Sequence, residues 1–443
     1  MKKLLMLFFL LFTANIMQAQ KVFNLNECMN FAVNNSPKYK IQETKNRNAN
    51  LDFREAYLSF LPSFSGSTSG MTNFGRSIDP ETNTYTTTAS FNNSYGIYAS
   101  YTIFNGFTAV NNFKIANVAR TLGAEEAKLL KDDICLKIIQ SYFNVLYCKG
   151  MQHLAKEQLE ESRNNLRFVT MRKELGLCGE ADVLQAEAIL ANNELYLIQH
   201  ENNWKQAILT LKGIMFFPLH ETISIDTALA NIGNITTFNI SSETVVTSAK
   251  AFLPTLKVSE QNMKIAKYKL NNAKWKLLPK INFESGFSTN YYNLFGTTSN
   301  VSFREQLKNN QGEYLYVSMN VPIFNALERQ GNISRSKNNL AIAKYEHLEK
   351  VNEIETEVTK AIQELNAAEK EYYHSHKNVQ AQELAHKTNQ RKYEEGLLSI
   401  LDLHVSANQL LAAKAQLLNA QLQYLLKNKV VRYYNGEHYI DQN

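Results

Sequence analysis

The chain has 443 residues, 44% of them hydrophobic, and a formal net charge of +6. The positive excess is spread along the chain with no basic run, so nucleic acid is not implied as a partner. Beyond the N-terminal segment no stretch of about 18 apolar residues occurs, so a transmembrane helix is not expected. Two options remain: a soluble protein outside the cytoplasm, or a membrane-spanning β-barrel.

Lys2 and Lys3 precede an unbroken apolar run from Leu4 to Phe12, with Ala19 close behind. This layout predicts a secretory signal peptide over residues 1–19. The run is too short to span a bilayer as a helix, which takes about 20 residues. Cys28 lies too far past it to be read as a lipid-anchored cysteine. The other cysteines are Cys135, Cys148 and Cys178. Cys135 and Cys148 would sit about 20 Å apart on one helix, which forbids a bond between them within the chain. No pair has metal-site spacing, so four unpaired small apolar residues are expected.

The prolines stand at 37, 62, 80, 218, 254, 279 and 322. None falls between 80 and 218 or after 322, which suits long uninterrupted helices. They also reveal a repeat. Pro37 and Pro254 are 254 − 37 = 217 apart, and Pro62 and Pro279 are 279 − 62 = 217 apart. Ile103-Phe104-Asn105 matches Ile323-Phe324-Asn325, and Gly176 with Asp182 matches Gly396 with Asp402, each at an offset of 220 (323 − 103, 396 − 176). The chain therefore reads as a tandem duplication: a first repeat over 20–230, a linker over 231–241 and a second repeat over 242–443.

In chain order the first repeat predicts a helix from Leu25 to Phe60, a β-hairpin over 62–104, a long helix over 108–171 and a helix over 180–214. The second predicts a helix from Ser242 to Leu277, a hairpin over 279–324, a long helix over 328–394 and a helix over 400–430. The strands alternate with period two. Tyr95, Ile97, Ala99, Tyr101 and Ile103 share one face, opposite Gly96, Tyr98, Ser100 and Thr102. Leu315, Val317, Met319, Val321 and Ile323 share another, opposite Tyr316, Ser318 and Asn320. Phe64 to Gly70 alternate with serines, and Ile281, Phe283, Ser285 and Phe287 alternate with Asn282, Glu284 and Gly286. Alternation alone suits a membrane barrel and a soluble sandwich equally. In a barrel, the polar loops Ser77–Thr88 and Thr297–Gln311 would be extracellular.

The helices carry apolar residues at helical spacing, as in Ile134, Ile138, Ile139, Tyr142, Phe143, Val145 and Leu146. A helix over 108–171 would run about 96 Å and needs neighbours along its length. Four strands cannot close a barrel, since single-chain bacterial barrels begin at about eight. Either the sheet is open or several chains contribute, two giving eight strands and three giving twelve.

The duplicated order of helix, hairpin, long helix and helix resembles the TolC family of outer-membrane factors. Ser141-Tyr142-Phe143-Asn144-Val145-Leu146 is similar to a Tyr-Phe-Asn-Val-Leu stretch of that family. Ile103-Phe104-Asn105-Gly106 is similar to its exit from a strand. Gly176-Leu177 with Asp182-Val183, and Gly396 with Asp402-Leu403, resemble its helix-to-helix turns at the periplasmic tip. The resemblance implies an α+β membrane protein built as a homotrimer. Its twelve-stranded outer-membrane β-barrel, four strands per chain, would continue as a long α-helical periplasmic barrel. It implies the exit duct of a tripartite efflux or type I secretion system in a Gram-negative outer membrane. A periplasmic adaptor, an inner-membrane transporter and outer-membrane lipid would be its partners, with no cofactor. It also implies roles at the tip. Asp402 would line the pore constriction as an acidic ring, weakened here by Val405 where the family often has a second acid. Asp182 would bond Tyr393, while an arginine partner is replaced by Leu398. A helix-capping role for both aspartates fits equally.

No catalytic constellation appears: the serines near the strands lack a paired histidine and acid. His374 and His376 diverge on a helix, and His347, His386 and His404 are expected as isolated surface residues. No Met-rich or His-rich tract suggests a dedicated metal exporter. An extracytoplasmic coiled-coil filament with a sandwich domain is the rival reading, and an enzyme has no support beyond size.

Overall fold

The computed structural model describes residues 22–79, 82–227, 241–296 and 301–440. The expected signal peptide lies outside these residues, as does all but the last residue of the expected linker. In chain order the elements are β1 (Val22–Phe23), α1 (Leu25–Asn35), α2 (Pro37–Leu58), β2 (Ser63–Asn73), β3 (Ser77–Asp79), β4 (Thr84–Thr86), β5 (Ser90–Asn105), α3 (Thr108–Glu174) and α4 (Glu180–Met215). There follow β6 (Ser224–Ile225), α5 (Ser242–Phe252), α6 (Pro254–Trp275), β7 (Lys280–Leu294), α7 (Phe303–Asn309), β8 (Gly312–Asn320), α8 (Glu328–Glu394) and α9 (Ile400–Tyr434). The chain divides into two compact units, one drawing on residues 1–44, 125–257 and 349–443, the other on 45–124 and 258–348. Among the described residues no helix is long and apolar enough to cross a membrane.

Each repeat opens with two helices where the sequence suggested one. Ser36 and Leu253 are extended, at ψ of 118° and 128°, and Pro37 and Pro254 begin new helices. A proline bars the residue before it from the helical region and is itself suited to the first helical position. The break recurs at the same place in both repeats. Asn24 starts α1 with a capping box: its side chain accepts from the Glu27 N–H at 2.9 Å and Glu27 returns a bond to the Asn24 N–H at 3.0 Å.

The helical unit is built on the apolar stripe of α3. Ile134, Ile138, Ile139, Tyr142, Val145 and Leu146 are buried against Cys28, Met29 and Ala32 of α1 and Leu211 and Met215 of α4. Tyr142 is fully enclosed, and its hydroxyl donates to the Asp226 carbonyl at 2.6 Å. Beside this contact β1 and β6 pair in parallel, Val22 with Ser224 and Phe23 with Ile225. In the second repeat Val245, Ala249, Leu253 and Leu256 pack on Ile354, Val358 and Tyr433. All four cysteines are free.

The other unit carries one four-stranded antiparallel sheet in the order β2-β5-β7-β8. Residues directly opposite one another share a face, so the register tests the alternation. One row runs Phe64, Ala99, Ser285, Leu315 and the next Ser63, Ser100, Glu284, Tyr316. The apolar series of β5, β7 and β8 therefore stays on one side, joined there by Phe64 of β2 and interrupted by Ser285, while Ser63, Ser100, Ser318, Glu284 and the tyrosines at 98, 314 and 316 stay on the other. On that polar side the Tyr98 and Tyr314 rings cover Gly96 and Gly286. One detail departs from simple alternation. A bulge between Thr102 and Phe104 sets Phe104, not Ile103, opposite Ile281.

The two polar loops hold structure of their own. β3 and β4 form a small hairpin, with Asn83 at a left-handed φ of 56°, which asparagine tolerates. β7 outruns β8, and the α7 loop covers its upper edge. Asn310 donates to the Asn290 carbonyl at 2.8 Å, and the Tyr292 N–H donates to Gln306 at 3.0 Å. Such cover satisfies edge groups that would otherwise template another strand.

Below the sheet Phe104, Phe107 and Trp275 stack edge to face, at 5.1 and 5.3 Å between centroids. Gly106 turns the chain there at a φ of 64°, and a Cβ on it would run into the Trp275 carbonyl. Gly106→Ala is expected to cost about 1–2 kcal/mol in backbone strain before any clash. It should lower the thermal unfolding midpoint; an unchanged midpoint would show that this turn can relax freely.

Candidate gate at the helix-hairpin tips

Two helix hairpins, α3–α4 and α8–α9, end in turns of one design. Gly176 and Gly396 sit just past their helices at φ of 73° and 78°, a conformation glycine adopts without steric cost. In the first, the Gly176 N–H bonds the Lys173 carbonyl and the Leu177 N–H the Arg172 carbonyl, both at 2.9 Å. In the second, Gly396 bonds Tyr393 at 3.0 Å and Leu397 bonds Lys392 at 2.8 Å. These are Schellman closures, which satisfy the last carbonyls of a helix. Three residues on, Gly179 and Ser399 take the N-cap positions of the next helices. The six-residue interval from glycine to aspartate is thus the distance from a helix-ending glycine to the third residue of the next helix.

Asp182 and Asp402 both occupy that third position. The Asp182 carboxylate accepts the Gly179 N–H at 3.0 Å. Ser399 donates its hydroxyl to Asp402 at 2.6 Å and accepts the Asp402 N–H at 3.1 Å. The aspartates support the caps rather than acting as N-caps themselves, and their charge suits the positive end of a helix. Asp402 is exposed, and among the described residues its carboxylate enters no ion pair. Leu401 and Val405 beside it are exposed as well.

Tyr393 is placed differently. Only 4% of it is exposed, and it packs with Val169, Val183, Ala186, Ile400 and Leu403 in a cluster that all four helices share. Its ring lies 5.7 Å from that of Phe168. Burial pushes its hydroxyl pKa up to about 12, with Arg172 opposing and Cys178 and Asp182 adding to the rise. The structure brings Asp182 near Tyr393, but the hydrogen bond Asp182 makes goes to the Gly179 backbone. Leu398, where the family pattern has an arginine, packs on the tip cluster.

Sequence reasoning missed Arg172. Its guanidinium donates to the Tyr393 carbonyl at 3.3 Å and lies against Gly396, tying the end of α3 to the end of α8. A basic residue in the last turn of a helix was the available signal. The expectation that His386 lies at the surface is corrected: it is 7% exposed and hydrogen-bonded on both ring nitrogens. His347 is also engaged, with Ser259 at 2.8 Å. Burial lowers the His404 pKa, against an opposing pull from Glu161.

Comparison with known proteins adds to this geometry. No curated protein matches the sequence. Among solved structures, the outer membrane protein VceC of Vibrio cholerae is similar over 94% of this chain and 96% of its own, with a TM-score of 0.77 at 15% identity. The CmeC outer membrane channel of Campylobacter jejuni is similar over 93% of this chain and 85% of its own, with a TM-score of 0.76 at 18% identity. The open-state MtrE outer membrane channel of Neisseria gonorrhoeae covers 95% and 91%, with a TM-score of 0.72 at 16% identity. At these identities the likeness establishes the fold. The model of the outer membrane efflux protein family matches residues 31–215 and 245–435, one stretch in each repeat. With both repeats matched, the chain belongs to the outer membrane efflux protein family, channels of the Gram-negative outer membrane that extend into the periplasm.

Proposed function

We propose that three copies of this chain close a twelve-stranded barrel and form the exit duct of a tripartite efflux or type I secretion system. Solutes pass through it passively from periplasm to exterior. The observation that carries this reading is the open sheet. Among the described residues β2 and β8 each have one unpaired edge. Its apolar face exposes Phe64 at 73%, Leu315 at 78% and Val317 at 62%. An unpaired edge and an exposed apolar face are both unfavourable in water, and a closed barrel in lipid removes both. Pairing β8 of one copy with β2 of the next makes a head-to-tail interface, which closes as a ring.

In this duct the apolar face meets outer-membrane lipid and the polar face lines the lumen. The hairpin tips meet a periplasmic adaptor, which couples them to an inner-membrane transporter. Asp402, Asp182 and Tyr393 mark the constriction: Asp402 as an acidic ring, Asp182 and Tyr393 as parts that hold the tips closed. No cofactor or nucleic acid enters this scheme. Light scattering of the detergent-purified chain, corrected for bound detergent, tests the assembly. Three chains per particle are expected, and a folded monomer would overturn the trimer.

A further inference from the structure

Behind the tip, a polar seam crosses between the hairpins, buried at Gln158, His386 and Ser406 and partly open to solvent at Glu161 and Asn408. Glu161 projects from α3, in the first hairpin. His386 of α8 and Ser406 of α9 belong to the second. The His386 Nε2 lies 3.0 Å from the Glu161 Oε1, and its Nδ1 lies 3.3 Å from the Ser406 Oγ. Ser406 is as enclosed as His386, at 4% exposure. An ionised carboxylate only accepts, so Nε2 carries the hydrogen. Nδ1 pairs with the Ser406 hydroxyl, which can donate or accept there. A second row runs alongside. Gln158 of α3 donates to the Asn408 side-chain Oδ1 at 2.7 Å, and the Asn408 Nδ2 meets the His404 Nε2 at 3.1 Å. Glu161 and His404 also line one small cavity of about 20 Å³ with Ser162 and Asn193.

A buried polar group left without its partner costs more than the bond itself contributes in water. The Glu161–His386 and Gln158–Asn408 bonds both join the first hairpin to the second, as do the Lys414–Glu157 ion pair and the bond from Tyr433 to Asp132, so separating the hairpins here breaks them. At the tip itself, among the described residues, the corresponding cross-link is the Arg172 bond to a backbone carbonyl.

We propose that Glu161, His386 and Ser406 form a latch between the two hairpins of each protomer, and that this latch, set deeper than the tip aspartates, holds the duct closed. Glu161 and His386 are positioning residues: they set the hairpin spacing and touch no solute. The proposal rests on the channel reading above.

The test uses the full trimer in planar bilayers. Glu161→Gln and His386→Phe are each expected to raise open probability about tenfold or more, the change that ~1.4 kcal/mol produces. Ser406→Ala should act in the same direction but less, and it leaves the pair intact should the other variants assemble poorly. The exchange variant, Glu161→His with His386→Glu, rebuilds the pair in reverse and should return open probability towards wild type. A seam that matters only for packing would not be rescued by that exchange. Single variants that gate as wild type would overturn the latch, as would an exchange variant no better than its parents. Wild-type protein that carries no ion current would overturn the channel reading instead, so the two failures are distinguishable.

Discussion

Val317→Arg is expected to block assembly of the barrel, while Ser318→Arg is largely tolerated. The two residues are neighbours on β8, opposite Phe283 and Asn282 of β7, and they point to opposite faces of the sheet. Val317 belongs to the apolar face and is 62% exposed in the single chain, so in the proposed barrel it would meet lipid. An arginine at that depth costs about 2–4 kcal/mol per copy, and a trimer carries three copies. On the polar face the same side chain stays in water. Ile97→Arg and Ser100→Arg on β5 form a second pair of the same kind, since Ile97 is opposite Phe287 and Ser100 opposite Glu284. Outer-membrane fractionation and trimer yield report the result. Equal tolerance on both faces would mean that neither face meets lipid, and the sheet would then belong to a soluble sandwich.

Asp402→Ala should weaken cation preference and reduce block by a trivalent cation such as lanthanum about tenfold or more. The exposed carboxylate of Asp402, in no ion pair among the described residues, supplies one charge per chain, and in the proposed trimer three converging copies would concentrate negative potential in a narrow mouth. Because Ser399 remains as the cap, the helix loses only the bond from the serine hydroxyl to the carboxylate. Its stability should fall by no more than about 1 kcal/mol. Asp182→Ala gives the contrasting outcome. It removes the acceptor of the Gly179 N–H, at a cost of about 1 kcal/mol, and loosens the first hairpin without abolishing ion preference. Reversal potentials under a salt gradient separate the two. If Asp402→Ala lowers thermal stability alone and leaves selectivity and block untouched, Asp402 is a cap support and the ring assignment falls.

Much of the architecture was legible in the residues because it is written in local periods. The alternation of Leu315, Val317 and Met319 with Tyr316 and Ser318 sets the faces of β8, since a strand repeats every two residues. Pro37 and Pro254, Gly176 and Gly396, and Asp182 and Asp402 recur because each repeat needs the same breaks, closures and caps. The unbroken helix expected across Pro37 and Pro254 neglected the constraint that each proline places on the residue before it. The bulge at Ile103 carried no such signal, because register depends on the partner strand.

The candidate gate divides along the same line. The glycine-to-aspartate interval determined that Asp182 and Asp402 would start helices, because both ends of that interval are set by nearby backbone. Only the tertiary structure decided that Asp182 turns to the Gly179 amide, that Tyr393 is buried by four helices, and that Arg172 closes on its carbonyl. His386 shows the limit best. No residue near it in the chain foretells a role, and its partners come from α3 and α9. A contact between helices depends on their relative rotation and stagger, and no local period in the chain encodes either.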